Sequence, residues 1–215
     1  MPDFATFTLF LTAAFILSIT PGPGILYTLA RSINGGKSEG ILSALGLFTG
    51  GLVHVVAAAI GVSSLLMTSA LAFTIVKYVG AAYLISIGLK TLFSRDTLPD
   101  PVDADTQSQD RAQRQGSIFY QGIITEVLNP KTALFFLAFI PQFISVENGH
   151  IFTQFLVLGL VTNVLNLATD LVVATFAGSI GQRLRTNYRF RRGQRITSGF
   201  TMTGLGAYVA VAEQN

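Results

Sequence analysis

Cysteine is absent from the 215-residue chain. That excludes disulfides and thiolate metal sites, and it leaves the redox compartment unreadable. Histidine occurs twice, too rarely to favour a soft-metal carrier. Charge is scarce as well: 12% of residues are charged against 50% hydrophobic, and the mean hydropathy is +0.56. Those values lie outside the range of soluble domains and argue against a soluble helical bundle. No phosphate-binding P-loop is present, which excludes a self-contained ATP-driven pump. No Lys or Arg precedes the first apolar run, and Pro-Gly-Pro-Gly stands where small cleavage-site residues would be sought, so the first segment is read as retained. A pI near 9.4 invites a nucleic-acid partner. The basic residues, however, fall between apolar segments rather than on one polar face, and the partner they indicate is the lipid bilayer.

What is present is a series of apolar segments long enough to span a bilayer. They run from Phe4 to about Ile33, then Ile41–Leu66, Ala70–Phe93, Ser117–Ile140, Phe152–Ala177 and Ile196–Ala212. The last is short, and Gly199, Gly204 and Gly206 suggest close packing there. Arg31 and Lys37 follow the first span; Arg95, Arg111 and Arg114 follow the third. A cluster from Arg183 to Arg195 follows the fifth and reads as an anchor to anionic lipid. The other connections and both ends carry no Lys or Arg, so the positive-inside rule puts the basic connections in the cytoplasm and both termini outside.

The stretch 94–116 is a polar cytoplasmic linker. Its aspartates lack the spaced Gly and closing Glu of a calcium loop, so it is a solvated tether. It separates 1–93 from 117–215. Three spans on each side force the halves into opposite orientations. The expected fold is therefore all-α and integral to the membrane, with six transmembrane helices as two inverted three-helix repeats.

Two spans are interrupted. Thr20-Pro21-Gly22-Pro23-Gly24 lies inside the first, and Asn129-Pro130-Lys131-Thr132 inside the fourth. Proline removes an amide donor and glycine weakens what remains. Thr20-Pro21 and Asn129-Pro130 each read as an N-cap residue followed by proline at the first helical position. At a 1.5 Å rise both breaks lie roughly 15–18 Å from the cytoplasmic end, near the middle of a ~30 Å core. Broken backbone survives there only where protein or a water-filled cavity covers it. Paired breaks in corresponding spans point to the binding site of a secondary transporter, with helix N-termini turned toward a small anion such as a carboxylate.

These residues resemble those of the LysE/RhtB family of amino-acid exporters. The likeness is carried by Thr20-Pro21-Gly22-Pro23, by Gly36, Gly40, Gly46 and Gly50, by Gly80-Ala81-Ala82-Tyr83-Leu84 with Gly88, and by Asn129-Pro130-Lys131 with Pro141-Gln142-Phe143. It covers nearly the whole chain and is weakest in the linker and the last span. The resemblance implies a bacterial inner-membrane protein that exports amino acids or closely related metabolites in exchange for protons, needing no cofactor. Glu126 is a departure, since the family commonly carries a neutral polar residue such as Asn there.

Each polar residue inside the spans has two readings. Lys131 either holds a substrate carboxylate or pairs with Glu126. Glu126 either carries a proton or binds a substrate ammonium, unless it is fixed by Lys131. Asp170 shares a helical face with Asn163 and Asn166, and it is either an ammonium or proton site or a hydrogen-bonded structural acid. His54 lies on the glycine face of the second span with Gly46, Gly50 and Gly61, as a packing residue or a proton relay. Tyr83, close to Gly80, reads as packing. The carboxylate of a small amino acid is expected near the amides of Gly22, Gly24 and Thr132 with Lys131 assisting, and Glu126 or Asp170 takes the ammonium and, in the other phase, a proton. The energetics allow this: a hundredfold outward gradient costs about 2.7 kcal/mol, and one proton entering down ~100 mV supplies about 2.3 kcal/mol. The alternatives are a cation or metal exporter using His54, Glu126 and Asp170, or a membrane-embedded enzyme, for which no Ser–His pairing is visible. Homo-oligomerisation is left open.

Overall fold

The structure, a computed structural model, describes residues 3–68, 70–93 and 111–211, and every element among them is helical. In chain order these are α1 (Phe4–Ile19), α2 (Pro23–Thr68), α3 (Ala70–Phe93), α4 (Arg111–Val127), α5 (Pro130–Leu134), α6 (Ile151–Thr186) and α7 (Tyr188–Val211). α5 runs on through a π turn, Phe135–Phe139, and a 3-10 turn, Ile140–Phe143. Among the described residues, two stretches are long and apolar enough to cross a bilayer, Pro23–Gly61 and Ile151–Ala177. The pair Gln113–Val127 and Pro130–Phe143, bent by 42° between its members, makes a third.

Asp3 starts α1. Its carboxylate accepts from the Thr6 amide and the Thr6 hydroxyl, each at 2.9 Å. Those bonds hold its pKa below the usual carboxylate value. The cap therefore acts above the ordinary Asp range and is lost as pH falls through the lowered one.

α2 is a hairpin rather than one rod. Gly36 has φ 79° and ψ −178°, a region essentially reserved for glycine. A β-carbon on Gly24 would stand 3.5 Å from Leu47, so residues on either side of Gly36 lie side by side. Nothing lies within 4 Å of a β-carbon built on Gly36 itself. Gly36→Ala is thus penalised by backbone conformation alone, by about 1–3 kcal/mol. Thermal unfolding in detergent should show the drop, whereas Gly61→Ala, which also meets nothing within 4 Å and sits in ordinary helix, should hold or raise the midpoint.

The two arms of α2 pack mainly on α6 and α4, and α3 packs on α7. Glycines set these contacts. A β-carbon on Gly46 would collide with the Phe119 carbonyl, and one on Gly50 would sit 2.6 Å from the Ile123 carbonyl. Gly88 and Gly199 face each other's backbones in the same way, each 2.8 Å from the other's carbonyl. The expected glycine seams are present with two corrections. Gly61 and Gly204 are exposed, and a β-carbon on either would meet nothing within 4 Å. Tyr83 is another correction: it is exposed, because its side of α3 points away from the core.

Phenylalanines fill the space beyond α5. The Phe135 and Phe139 rings stack at 4.7 Å, Phe139 lies 4.9 Å from Phe143, and Phe143 meets Phe10 edge-on at 5.4 Å. On the outside, Leu9, Phe15, Val53, Ile60, Ile75 and Phe176 are exposed. A helix bundle apolar on both its inner and outer faces has a lipid solvent.

Helix ends reach past the apolar runs. α4 begins at Arg111, inside the stretch read as linker. Arg, Ala and Gln are good helix formers, and Arg114 is anchored by an ion pair to Glu39 at 2.6 Å. Nearby, the Tyr27 hydroxyl donates to the Ile118 carbonyl at 2.7 Å, and Arg31 donates to Gln121. Residues 94–110, most of the linker, and the tail from 212 lie outside the described residues.

Candidate functional site

Both interruptions are where the residues placed them. α1 stops at Ile19 and α2 starts at Pro23; α4 stops at Val127 and α5 starts at Pro130. Asn129 caps α5 as expected, its side-chain oxygen accepting from the Lys131 amide at 3.1 Å. Thr20 does not cap α2, and Pro21 is not its first residue. Thr20 closes α1 instead, with its hydroxyl donating back to the Ile16 carbonyl at 2.6 Å. Gly22 then takes the capping position, its carbonyl accepting from the Leu26 amide at 3.0 Å. The physical reason is competition: a threonine hydroxyl readily bonds the carbonyl four residues back, and Pro23 is preorganised to start a helix two residues later. The Pro21 carbonyl accepts from Ser198 of α7 at 2.6 Å, which satisfies the broken backbone from outside.

The two breaks meet in space. Lys131, from the second break, sends its ammonium to the first, donating to the Leu17 carbonyl at 2.7 Å and the Thr20 carbonyl at 2.6 Å. Both carbonyls lie at the C-terminal end of α1, where the Leu17 oxygen also accepts from the Thr20 amide at 3.1 Å, and a cation there is favoured by the helix dipole. A β-carbon on Gly22 would touch the Lys131 stem at 3.0 Å. No ion pair joins Lys131 to Glu126, because the ammonium is committed to α1.

Glu126 is held by the second break itself. Thr132 donates its hydroxyl to one carboxylate oxygen at 2.7 Å, and the Asn129 amide donates to the other at 2.9 Å. A β-carbon on Gly24 would lie 3.3 Å from the second oxygen, so the start of α2 also abuts this carboxylate. Replacing Asn129 by Ala removes both the helix cap and one of those donors. We expect a loss of about 2 kcal/mol, read as a lower unfolding midpoint in detergent.

A partly polar cavity lies between the breaks and opens in part to the surface. Gly22, Gly24, Glu126, Asn129, Lys131 and Thr132 line one side, and Asn163, Asn166 and Asp170 of α6 line the other. The three-residue face read in the fifth span is thus brought to the breaks. Asn163 is interhelical glue as well, donating to the Phe48 carbonyl at 3.0 Å. Asp170 is 6% exposed, and its Oδ1 is buried with no hydrogen-bond partner. The fully buried Thr28 hydroxyl approaches it and is likewise unpartnered. Thr28 was not singled out from sequence. The signal was there, since Gly24, Thr28 and Ser32 follow at spacings of four in an apolar arm, one small or polar line on a helix face.

His54 is not part of the cavity wall. Its Nε2 faces the Glu126 backbone carbonyl at 2.9 Å, so that nitrogen carries a proton and donates. The ring lies beside Phe136, centroids 6.0 Å apart. Among the described residues, no three His, Asp or Glu side chains gather as metal ligands would.

Apolar helices enclosing a polar cavity at two broken segments are the architecture of a membrane transport protein. The chain belongs to the LysE type translocator family, whose sequence pattern matches residues 15–213. A Salmonella typhimurium protein named homoserine/homoserine lactone efflux protein is 34% identical over 175 residues, 81% of this chain and 80% of its own. The Salmonella typhi protein of the same name is 33% identical over the same shares. An uncharacterized membrane protein of Vibrio cholerae is 29% identical over 211 residues, covering 98% of this chain and 99% of its own. No solved structure matches the chain significantly.

Proposed function

We propose that this translocator is a secondary exporter of amino acids or closely related metabolites across the bacterial inner membrane, in exchange for protons. The observation that carries the reading is Asp170, a buried carboxylate with an unpartnered oxygen in a polar cavity where two broken helices meet. An intramembrane acid of that kind is a site for a proton or a substrate ammonium. The ligand places its ammonium on Asp170 and its other end toward Gly22, Gly24 and Thr132. The Salmonella relatives support small amino-acid-derived cargo. The inverted-repeat reading, with six spans and both termini outside, is supported by the packing: α2 lies on α6 and α3 on α7, and these elements hold the second and fifth spans and the third and sixth.

The test is efflux from proteoliposomes loaded with single amino acids and derivatives under an imposed pH gradient. Gradient-dependent efflux is expected; if nothing moves, or movement ignores the gradient, the reading is wrong. Pro130→Ala adds an amide that can extend α4 across the break. It should lower turnover at least tenfold, and unchanged turnover would remove the break from the mechanism.

A further inference from the structure

Glu126 places an anion from within the chain between the start of α2 and the second break. Both of its oxygens accept hydrogen bonds, from Thr132 and from Asn129, which is the pattern of an ionised carboxylate. The Lys131 ammonium is spent on two α1 carbonyls. With Asp170 ionised, the three charged side chains lining the cavity, Glu126, Lys131 and Asp170, sum to one negative charge. A free amino acid, being a zwitterion, leaves that sum unchanged and brings a second carboxylate toward Glu126. A monocation cancels it, and so does a proton on Asp170. Uncompensated charge in this setting is expensive.

Resting on the exporter reading above, we propose that Glu126 is a resident anion filling the place of a substrate carboxylate. The cavity accordingly takes a small ammonium compound whose carboxyl group is absent or masked as an ester, lactone or amide. That cation and a proton compete one for one at Asp170. The ionised groups acting on Asp170 are Glu126 from α4 and Lys131 from α5, and Thr28 from α2 faces it with a neutral hydroxyl. On the outer side Asp170 binds a proton as the cation leaves; on the cytoplasmic side it releases the proton as the next cation binds. One positive charge moves each way, so a cycle moves no net charge. The exchange follows the pH gradient and is indifferent to membrane potential.

The experiment uses the full chain in proteoliposomes, with homoserine lactone and free homoserine as a pair that share the ammonium and differ by closure of the hydroxyl onto the carboxyl. Protein-free vesicles give the passive leak. Wild-type protein should export the lactone at least tenfold faster than homoserine. A pH gradient with the potential clamped at zero should drive lactone efflux, and a potential without a pH gradient should not. Glu126→Gln removes the resident anion and should shift the preference toward homoserine at least tenfold. The proposal is overturned if the wild-type protein moves homoserine as fast as the lactone, if potential alone drives the lactone, or if Glu126→Gln keeps the wild-type preference. The first two measurements need no variant, so a misfolded Glu126→Gln protein leaves the proposal open to refutation. If neither compound moves while another amino acid or derivative leaves down the pH gradient, this inference is overturned and the exporter reading stands; if nothing in that screen moves, both fail.

Discussion

Asp170→Asn should reduce proton-driven export at least a hundredfold while leaving the protein folded. The substitution keeps the shape of the side chain and removes its capacity to hold a proton or to neutralise an ammonium. Oδ1 has no hydrogen-bond partner to lose, and the Thr28 hydroxyl that faces the carboxylate can meet an amide as well. Removing a buried carboxylate also relieves a desolvation penalty, so the unfolding midpoint should hold or rise. Efflux from proteoliposomes against an imposed pH gradient, paired with thermal unfolding of the same preparation, separates the two effects. Full transport in the variant would dismiss Asp170 from the coupling, and collapse of the unfolding midpoint would make it structural.

Lys131→Met should have the opposite profile, a protein that barely folds. The lysine is 7% exposed and ties the Leu17 and Thr20 carbonyls of one break to the start of the other. Methionine fills similar volume but donates nothing. The Thr20 and Leu17 carbonyls lose the lysine donor, Leu17 keeping only the Thr20 amide, and Glu126 and Asp170 lose the cation that lines the cavity with them. Breaking a buried charged arrangement by removing one partner costs about 3–5 kcal/mol, which approaches the whole stability of a typical domain. Yield of monodisperse protein in detergent and its unfolding midpoint are the measurements. Lys131→Met combined with Asp170→Asn should be less damaging than the sum of the two, because the second change removes a charge the first leaves uncompensated. Strict additivity would mean that the lysine acts only through the α1 carbonyls.

Much of this architecture was legible in the residues, because proline, glycine and charge are strong local signals. Two prolines and two glycines between Thr20 and Gly24, and Asn129 before Pro130, announced both breaks within a residue or two. The line of Asn163, Asn166 and Asp170 announced an inward polar face on α6. Thr20 was misassigned as a helix start, since a threonine before a proline suits an N-cap in general. Only the three-dimensional arrangement shows its hydroxyl turned back onto Ile16. The starts of α4 and α7 extend beyond their apolar runs for a related reason. Hydropathy marks what meets lipid, while a helix continues past the apolar run where the residues favour it and side chains find partners, as Arg114 does with Glu39.

By itself, then, the sequence determined that this is an apolar helical chain with two broken segments and a few costly polar groups within them. Those properties are local and follow from backbone chemistry and transfer energies. Which polar group meets which is another matter, because partners such as Lys131 and Leu17 are separated by 114 positions. The fold committed the lysine to α1, Glu126 to Thr132 and Asn129, and His54 to a backbone carbonyl. It left Asp170 in the cavity with an oxygen unpartnered. A buried group's role depends on whether its bonds are already made, and only the tertiary structure decides that.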